Sequence, residues 1–231
     1  MKIALCYPRT KKDSRGLSAM PLGALIIGTI LEKEHQVKIF DSSFDDDVSQ
    51  TFQRIKNFNP DLVGISLLTP FYEDGKKLTR LAKESGYITV WGGPHPTINP
   101  EESLTENDFL DFVVIGEGEY TFPELLKNLK NPKKVKSIAY RNKNKIILTP
   151  KRECVLEKDL NVIPNRGLLE TLPKYLESKI LNLIVYRGCP FNCAFCQPTL
   201  RKIFGAGSGW ITRSPQNVVE ELQLLKEKYH P

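Results

Sequence analysis

Three cysteines stand close together in the pattern C-x-x-x-C-x-x-C: Cys189, Cys193 and Cys196. Cysteine thiolates are the usual ligands of iron–sulfur clusters, and a closed site takes four of them. Three thiolates on one short loop would therefore leave one iron of a four-iron cluster without a protein ligand. The spacing predicts a 4Fe-4S cluster with one position open to another molecule.

A zinc site is the first alternative for such cysteines, but it requires a fourth ligand at a compatible spacing. Cys154 lies far upstream of the three cysteines and His230 lies far downstream. A group of structural thiols without any metal is the second alternative. Ligand type and spacing favour the iron–sulfur interpretation over both.

The cysteine segment, Tyr-Arg-Gly-Cys-Pro-Phe-Asn-Cys-Ala-Phe-Cys-Gln, resembles the signature of the radical S-adenosylmethionine enzymes. Gly188, Pro190 and Phe195 fit the flanking pattern of that family. The resemblance implies that S-adenosylmethionine binds the open iron, with Phe195 near its adenine. It also implies that an electron from the cluster cleaves S-adenosylmethionine to a 5′-deoxyadenosyl radical, and that a flavodoxin- or ferredoxin-type protein supplies the electron.

The composition of the chain narrows its partners and its compartment. The 231 residues carry a net charge of +6, but the lysines lack a stacking platform of aromatic residues, so we predict no nucleic-acid binding. The five cysteines are odd in number and follow no apolar signal segment, which is typical of a cytoplasmic protein with reduced thiols. No apolar stretch approaches the length of a membrane span, so we predict no membrane contact.

Strand-like and helix-like segments alternate from residue 2 to about residue 115. Near-continuous apolar runs such as 3–7 and 61–67 predict strands that are covered on both faces, as in a parallel sheet. Apolar residues at three- and four-residue spacing, as in 21–34, predict helices between the strands. The alternation predicts an α/β fold, a Rossmann-like (flavodoxin-like) doubly wound parallel sheet. The other predicted strands are 37–40, 88–91 and 112–115, and the other predicted helices are 48–58, 73–84 and 122–129.

Four loops of this domain, 8–16, 66–69, 92–97 and 116–119, follow the ends of predicted strands. Sheets of this kind bind ligands beyond the carboxyl ends of their strands. Glycines in such loops let a ligand approach the backbone closely. Any single loop could be only a tight turn, but four at one edge predict a cofactor pocket.

Together with the cysteines, these loops resemble the N-terminal part of the cobalamin-dependent radical S-adenosylmethionine enzymes. The matching segments are Met-Pro-Leu-Gly-Ala-Leu at 20–25, Pro-Asp-Leu-Val-Gly-Ile-Ser at 60–66, Trp-Gly-Gly-Pro-His-Pro-Thr at 91–97 and Val-Val-Ile-Gly-Glu-Gly-Glu at 113–119. The resemblance implies cobalamin held between this domain and a radical barrel, and methyl transfer to an unactivated centre of an unknown small-molecule or peptide substrate. The implied cobalamin-binding residues are Pro8, Leu22, Gly23, Ser66, Leu67, Leu68, Thr69, Gly92, Gly93, Pro94, His95, Thr97, Gly116, Glu117 and Gly118.

Another class of cobalamin domains carries an Asp-x-His-x-x-Gly motif after the first strand, whose histidine binds the lower face of cobalt. This motif is absent here, since the loop reads Pro-Arg-Thr-Lys-Lys-Asp-Ser-Arg-Gly. The resemblance therefore implies no histidine ligand from that position. His95 is the remaining candidate, and a hydrogen bond within its own loop is the favoured role for it.

Beyond residue 129 the pattern changes. Two short strands, 136–141 and 145–149, flank Asn142-Lys143-Asn144 and predict a hairpin. Residues 151–173 have little periodicity and several prolines, which is typical of a linker.

Residues 180–186 predict a strand and 216–229 an amphipathic helix, with the cysteine loop between them. By resemblance, they are the first β/α unit of the partial TIM barrel of the radical S-adenosylmethionine enzymes. The prediction has three parts: a cobalamin-binding Rossmann-like domain at 1–130, a β-hairpin and interdomain linker at 131–175, and the start of a radical S-adenosylmethionine domain at 176–231.

One β/α unit is far short of a complete barrel, which takes ~250 residues. We therefore expect an N-terminal fragment of a longer enzyme, inactive alone, unless a separate chain completes the barrel or the unit folds back on the first domain. Two other functions stay open: a cobalamin-assisted radical cyclase or oxidoreductase, and a non-catalytic corrinoid or iron–sulfur binding subunit.

Overall fold

Five strands form the parallel centre of the computed structural model, which describes residues 1–11, 19–143, 145–155, 160–177, 179, 181–191, 193 and 210–230. They are β1 (Lys2–Tyr7), β2 (Gln36–Asp41), β3 (Leu62–Ser66), β4 (Ile88–Gly92) and β5 (Phe112–Val114). They pair in the order β2-β1-β3-β4-β5, and all four pairings are parallel. The strand order reverses between β1 and β3, so the predicted doubly wound fold is confirmed.

Helices cover both faces of this sheet, as parallel strands require. They are α1 (Leu22–Leu31), α2 (Val48–Phe58), α3 (Tyr72–Glu84), α4 (Pro94–Ile98), α5 (Pro100–Thr105) and α6 (Gly118–Lys127). One core contains Leu25 of α1 and Leu125 of α6. The opposite core contains Ile55 of α2, Leu78 of α3 and Leu104 of α5. No helix in the described part of the chain is long and apolar enough to span a membrane.

The predicted hairpin is present and extends the same sheet. Strands β6 (Ile138–Asn142) and β7 (Lys145–Leu148) pair antiparallel with each other, and β6 also pairs antiparallel with β5. The complete order is therefore β2-β1-β3-β4-β5-β6-β7. The boundaries of the three predicted parts stay a prediction.

After the hairpin, residues 149–155 and 160–177, here called the return segment, lie across α6 and α1 and reach the far edge of the sheet. The backbone N–H of Val155 donates to Glu117 (2.6 Å), before α6, and that of Asn165 donates to Thr29 on α1 (2.8 Å). At the far edge, Leu169 forms a parallel bridge with Ile39 of β2. A short helix, α7 (Leu172–Leu176), ends the segment. The linker is thus bound to the first domain along its described length.

The cysteine region starts and ends in a small antiparallel pair, β8 (Tyr186–Arg187) with β9 (Ile211–Thr212), and the helix α8 (Pro215–Tyr229) follows. The strand predicted for 180–186 is wrong in extent, because residues 181–185 lie outside regular secondary structure. Two of their backbone carbonyls accept hydrogen bonds from side chains and not from a neighbouring strand. The carbonyl of Asn182 accepts from the Arg166 side chain (2.9 Å), and the carbonyl of Ile184 accepts from the Arg213 side chain (3.0 Å).

A buried group of charges joins the return segment to α8. Glu221 of α8 accepts from Arg166 of the return segment (2.6 Å) and from Arg213, which follows β9. The Arg166 and Glu221 side chains are fully buried, and that of Arg213 is 4% exposed. Arg213 also donates to the Asn217 side chain (2.6 Å). Arg166, Arg213 and Glu221 are here called the arginine–glutamate cluster. They place three charges in a low-dielectric interior, where each charge is stabilised by its oppositely charged partner.

Candidate cofactor cavity and cysteine loop

A cavity of about 470 Å³ opens at the carboxyl ends of the parallel strands, between α1 and α6. Ligand sites commonly have volumes of ~300–1,000 Å³, so the cavity has the size of a cofactor pocket. Its lining is mostly apolar and rich in glycine. Residues that line it include Leu5, Gly64, Ile65, Val90 and Val114 from the strands and Ala24, Ile27 and Phe122 from the helices.

Eight of the fifteen predicted cobalamin-binding residues line this cavity: Gly23, Ser66, Gly92, Gly93, Pro94, Gly116, Glu117 and Gly118. The other seven, Pro8, Leu22, Leu67, Leu68, Thr69, His95 and Thr97, are not part of its lining. The structure therefore brings the loops that follow β3, β4 and β5 together with the start of α1. Whether these residues contact cobalamin stays a prediction.

Several residues outside the lining hold the loops in place. The Leu67 N–H donates to the carbonyl of Gly92 (2.8 Å), and the His95 N–H donates to that of Leu67 (3.2 Å). Gly93 has φ +97°, and a Cβ there would lie 2.9 Å from the Leu67 carbonyl oxygen. Only glycine fits that close approach without strain. Thr97 accepts from the N–H of Gly116 (2.9 Å), which ties the 92–97 loop to the 116–119 loop.

His95 lies beneath its loop rather than in the cavity. Its Nδ1 is 3.2 Å from the Thr69 hydroxyl, and its ring packs on Tyr72 with 4.9 Å between ring centroids. Burial lowers the pKa of His95, which favours the neutral ring. The side chain therefore has a hydrogen-bonding role, but its partner lies in the 66–69 loop and not in its own loop as the sequence favoured. No histidine is present among the described residues that line the cavity.

The cysteine loop starts at the wall of the same cavity. Gly188, with φ +84°, lines the cavity and directly precedes Cys189. Cys189 is half-buried, Cys193 is exposed, and neither forms a disulfide. The third predicted ligand, Cys196, and the predicted adenine contact, Phe195, lie outside the described residues. Within the described ranges, no group of three or more potential metal ligands comes together.

Arg187 of β8 connects the cysteine loop to the loop that precedes α6. Its guanidinium donates to Glu119 (2.5 Å) and Glu117 (3.4 Å), and all three side chains are at most 20% exposed. Burial alone would lower the pKa of Arg187, but the charges of Glu119 and Glu117 outweigh it and raise that pKa. Arg187 therefore stays charged and fixed by two carboxylates.

Sequence reasoning did not identify Arg187, Cys6 or Cys154 as part of this site, and it included Glu119 only as the last residue of the 116–119 loop, although all four line the cavity. Burial raises the pKa of the Cys6 thiol and keeps it protonated, as expected for a small core residue. The feature of the sequence that could have identified Arg187 was its position next to the cysteines, in a segment that was interpreted only as the cluster signature. Its acidic partners lie 68 and 70 residues away, and no local pattern connects them.

Comparison with known proteins gives a consistent result. Residues 11–126 match the family described as the B12 binding domain. An uncharacterized methyltransferase of Pyrococcus horikoshii is 35% identical over 99% of this chain and 51% of its own length. An anaerobic magnesium-protoporphyrin IX monomethyl ester cyclase of Rubrivivax gelatinosus is 28% identical over 83% of this chain and 36% of its own length. This chain thus spans about half or less of these curated relatives.

One solved structure has the same fold over 99% of this chain and 32% of its own chain, with a TM-score of 0.73 and 19% sequence identity. It is the apo form of the cobalamin-dependent S-adenosylmethionine radical enzyme OxsB. At this identity the likeness shows the fold alone.

Proposed function

Because the chain belongs to the B12-binding domain family, we propose that it binds cobalamin in the cavity and holds a 4Fe-4S cluster beside it for radical S-adenosylmethionine chemistry. One observation carries this proposal. Gly188, directly before Cys189, lines the same cavity as Gly92, Gly93 and Gly116 of the predicted cobalamin loops. A thiolate loop and a corrinoid pocket that share one wall would bring both cofactors into one active site.

The residues present fit both groups. The cavity is apolar, and the first turn of α1 leaves it open, since a Cβ on Gly23 would meet no atom within 4 Å. Thiolates are the ligands that iron–sulfur clusters require, and Cys189 and Cys193 are free thiols. Cys196 completes the set in this proposal.

The proposed reaction is methyl transfer to an unactivated centre. When bound, cobalamin would supply a transferable methyl group, and the cluster would supply the electron that produces a carbon radical from S-adenosylmethionine. The protein would bind and orient these groups, and its apolar lining would exclude water from reactive species. The similar methyltransferase of Pyrococcus horikoshii supports this choice.

The activity, substrate and partners of the whole protein are part of the proposal, because the chain spans only part of its curated relatives. The partners include a one-electron reductant of the flavodoxin or ferredoxin type. The similar cyclase of Rubrivivax gelatinosus favours cobalamin-assisted radical cyclisation as the second candidate. S-adenosylmethionine with a labelled methyl group separates the two, because only methyl transfer places the label in the product.

Gly23 provides a direct test of the cavity. A phenylalanine at this position would project into open space, so Gly23→Phe should fold normally and also gain helix propensity. We expect the variant to lose hydroxocobalamin uptake, measured by absorption after gel filtration, while its thermal unfolding midpoint is unchanged or higher. Gly23→Ala is the matched control, because it adds only a methyl group. Equal corrinoid uptake by the Phe variant and the wild type would contradict the proposal.

A further inference from the structure

Three segments that are distant in sequence meet at one pair of carboxylates on the cavity wall. Glu117 and Glu119 flank Gly118, the first residue of α6. Arg187 reaches them from the start of the cysteine loop, and the backbone N–H of Val155 reaches Glu117 (2.6 Å) from the return segment. Arg187, Glu117 and Glu119 are here called the acidic clamp.

The clamp is held firmly. The side chains of Arg187, Glu117 and Glu119 are 20%, 16% and 6% exposed, so water screens their attraction only weakly. Glu117 lies at the N-cap of α6 and Glu119 in its first turn, where the partial positive charge of a helix start favours carboxylates. Removing the guanidinium would leave two poorly hydrated carboxylates close together. The fold thus stabilises a single position for Arg187.

Only Gly188 separates Arg187 from Cys189. Two residues span at most about 7 Å of chain, so a fixed Arg187 keeps the backbone of Cys189 within that distance of the clamp. The opposite end of the loop pairs with the first end, because Ile211 of β9 lies opposite Arg187 of β8. It is anchored further by Arg213, which follows β9 and binds Glu221. Both ends of the cysteine loop are therefore anchored, and within the described residues Arg187 ties them to carboxylates on the cavity wall.

We propose that Arg187, through Glu117 and Glu119, is a positioning residue that sets the distance and orientation of the cluster relative to the corrinoid. This inference rests on the proposed function. Arg187 lines the cavity, and in this inference it acts on the cluster through the backbone that carries Cys189. Loss of the clamp should leave both cofactors bound but no longer in a single relative arrangement.

The test uses the protein reconstituted anaerobically with iron, sulfide and hydroxocobalamin and then reduced. Metal analysis and absorption measure how much of each cofactor is bound. Pulsed paramagnetic resonance measures the dipolar coupling between the cob(II)alamin and reduced-cluster signals. We expect one defined coupling in the wild type and loss of that defined coupling in Arg187→Gln, with iron and corrinoid contents unchanged. Arg187→Lys, which keeps the charge, should restore part of it.

Arg80→Gln is the matched control, since Arg80 is an exposed arginine of α3 paired with Glu84. It should leave the coupling unchanged. If Arg187→Gln does not fold, Glu119→Gln weakens the same clamp and should show the same loss. A wild type that binds no corrinoid or no cluster would refute the proposed function. If the wild type binds both cofactors and the coupling is the same in Arg187→Gln or Glu119→Gln, the positioning role alone is overturned. Loss of either cofactor from both variants would overturn it as well.

Discussion

The arginine–glutamate cluster leads to a quantitative prediction about how the cysteine region is attached. In Glu221→Gln the shape of the side chain is kept, but its charge is removed. Arg166 and Arg213 would then remain as two buried guanidinium groups that have lost their shared carboxylate, and the Nε of Arg166 already has no hydrogen-bond partner among the described residues. Breaking a buried ion pair by removing one partner costs about 3–5 kcal/mol. We expect a loss of this size in the free energy that holds α8 to the return segment.

The two tryptophans allow this loss to be located. Trp91 is fully buried in β4 and reports on the parallel sheet, whereas Trp210 is 44% exposed and directly precedes β9. The Trp91→Phe background leaves Trp210 as the single probe, and the Trp210→Phe background leaves Trp91. Urea unfolding can therefore be followed at one tryptophan at a time. At a slope of about 2 kcal/mol per molar urea, the expected loss shifts the Trp210 transition by about 1.5–2.5 M. The Trp91 transition should move much less.

Glu84→Gln is the matched control, because it removes an exposed ion pair with Arg80 that is worth only about 0.3–0.5 kcal/mol. It should leave the Trp210 transition almost in place. If Glu221→Gln shifts that transition no more than Glu84→Gln does, the cluster does not anchor α8 and the reasoning is refuted.

Two further predictions concern the loops at the cavity. Gly93→Ala should lower the free energy of unfolding by about 1–3 kcal/mol, because φ +97° is unfavourable for alanine and its Cβ would meet the Leu67 carbonyl; calorimetry that shows no loss would contradict this strain. The pKa of His95 is lowered from 6.5 by burial, so the unfolded state binds more protons than the folded state as the pH falls below 6.5. The wild type should therefore lose stability relative to His95→Gln below pH 6.5, by at most ~1.4 kcal/mol per pH unit. Urea unfolding of both proteins between pH 7.5 and 5.5 measures this difference. If the two free energies of unfolding change in parallel with pH, His95 is not responsible.

Much of the first domain could be predicted from the sequence because its signals are local. The apolar residues of β1 and β3 are buried on both faces of one sheet, and such runs are readable without knowing their neighbours. The glycines at 92, 93 and 116 lie where the strand ends predict them, since strand direction alone fixes the edge at which a ligand binds.

What could not be predicted depends on contacts between distant residues. The strand expected at 180–186 is reduced to β8, because the Arg166 and Arg213 side chains donate hydrogen bonds to the carbonyls of Asn182 and Ile184. Arg187 is paired with carboxylates that precede it by 68 and 70 residues. Hydrophobic periodicity contains no information about such pairs. The contribution of Cys196 stays a prediction from spacing.

The bridge between Leu169 and Ile39 has a consequence for solubility. β2 is the outermost strand on its side of the sheet, and an uncovered outermost strand can pair with another molecule and start aggregation. Leu169 covers this strand at Ile39, and the Glu170 N–H occupies the Ile39 carbonyl (3.1 Å). Truncation of the chain before residue 160 would therefore remove more than the cysteines: it would also uncover β2, whose free backbone groups could then pair with another molecule.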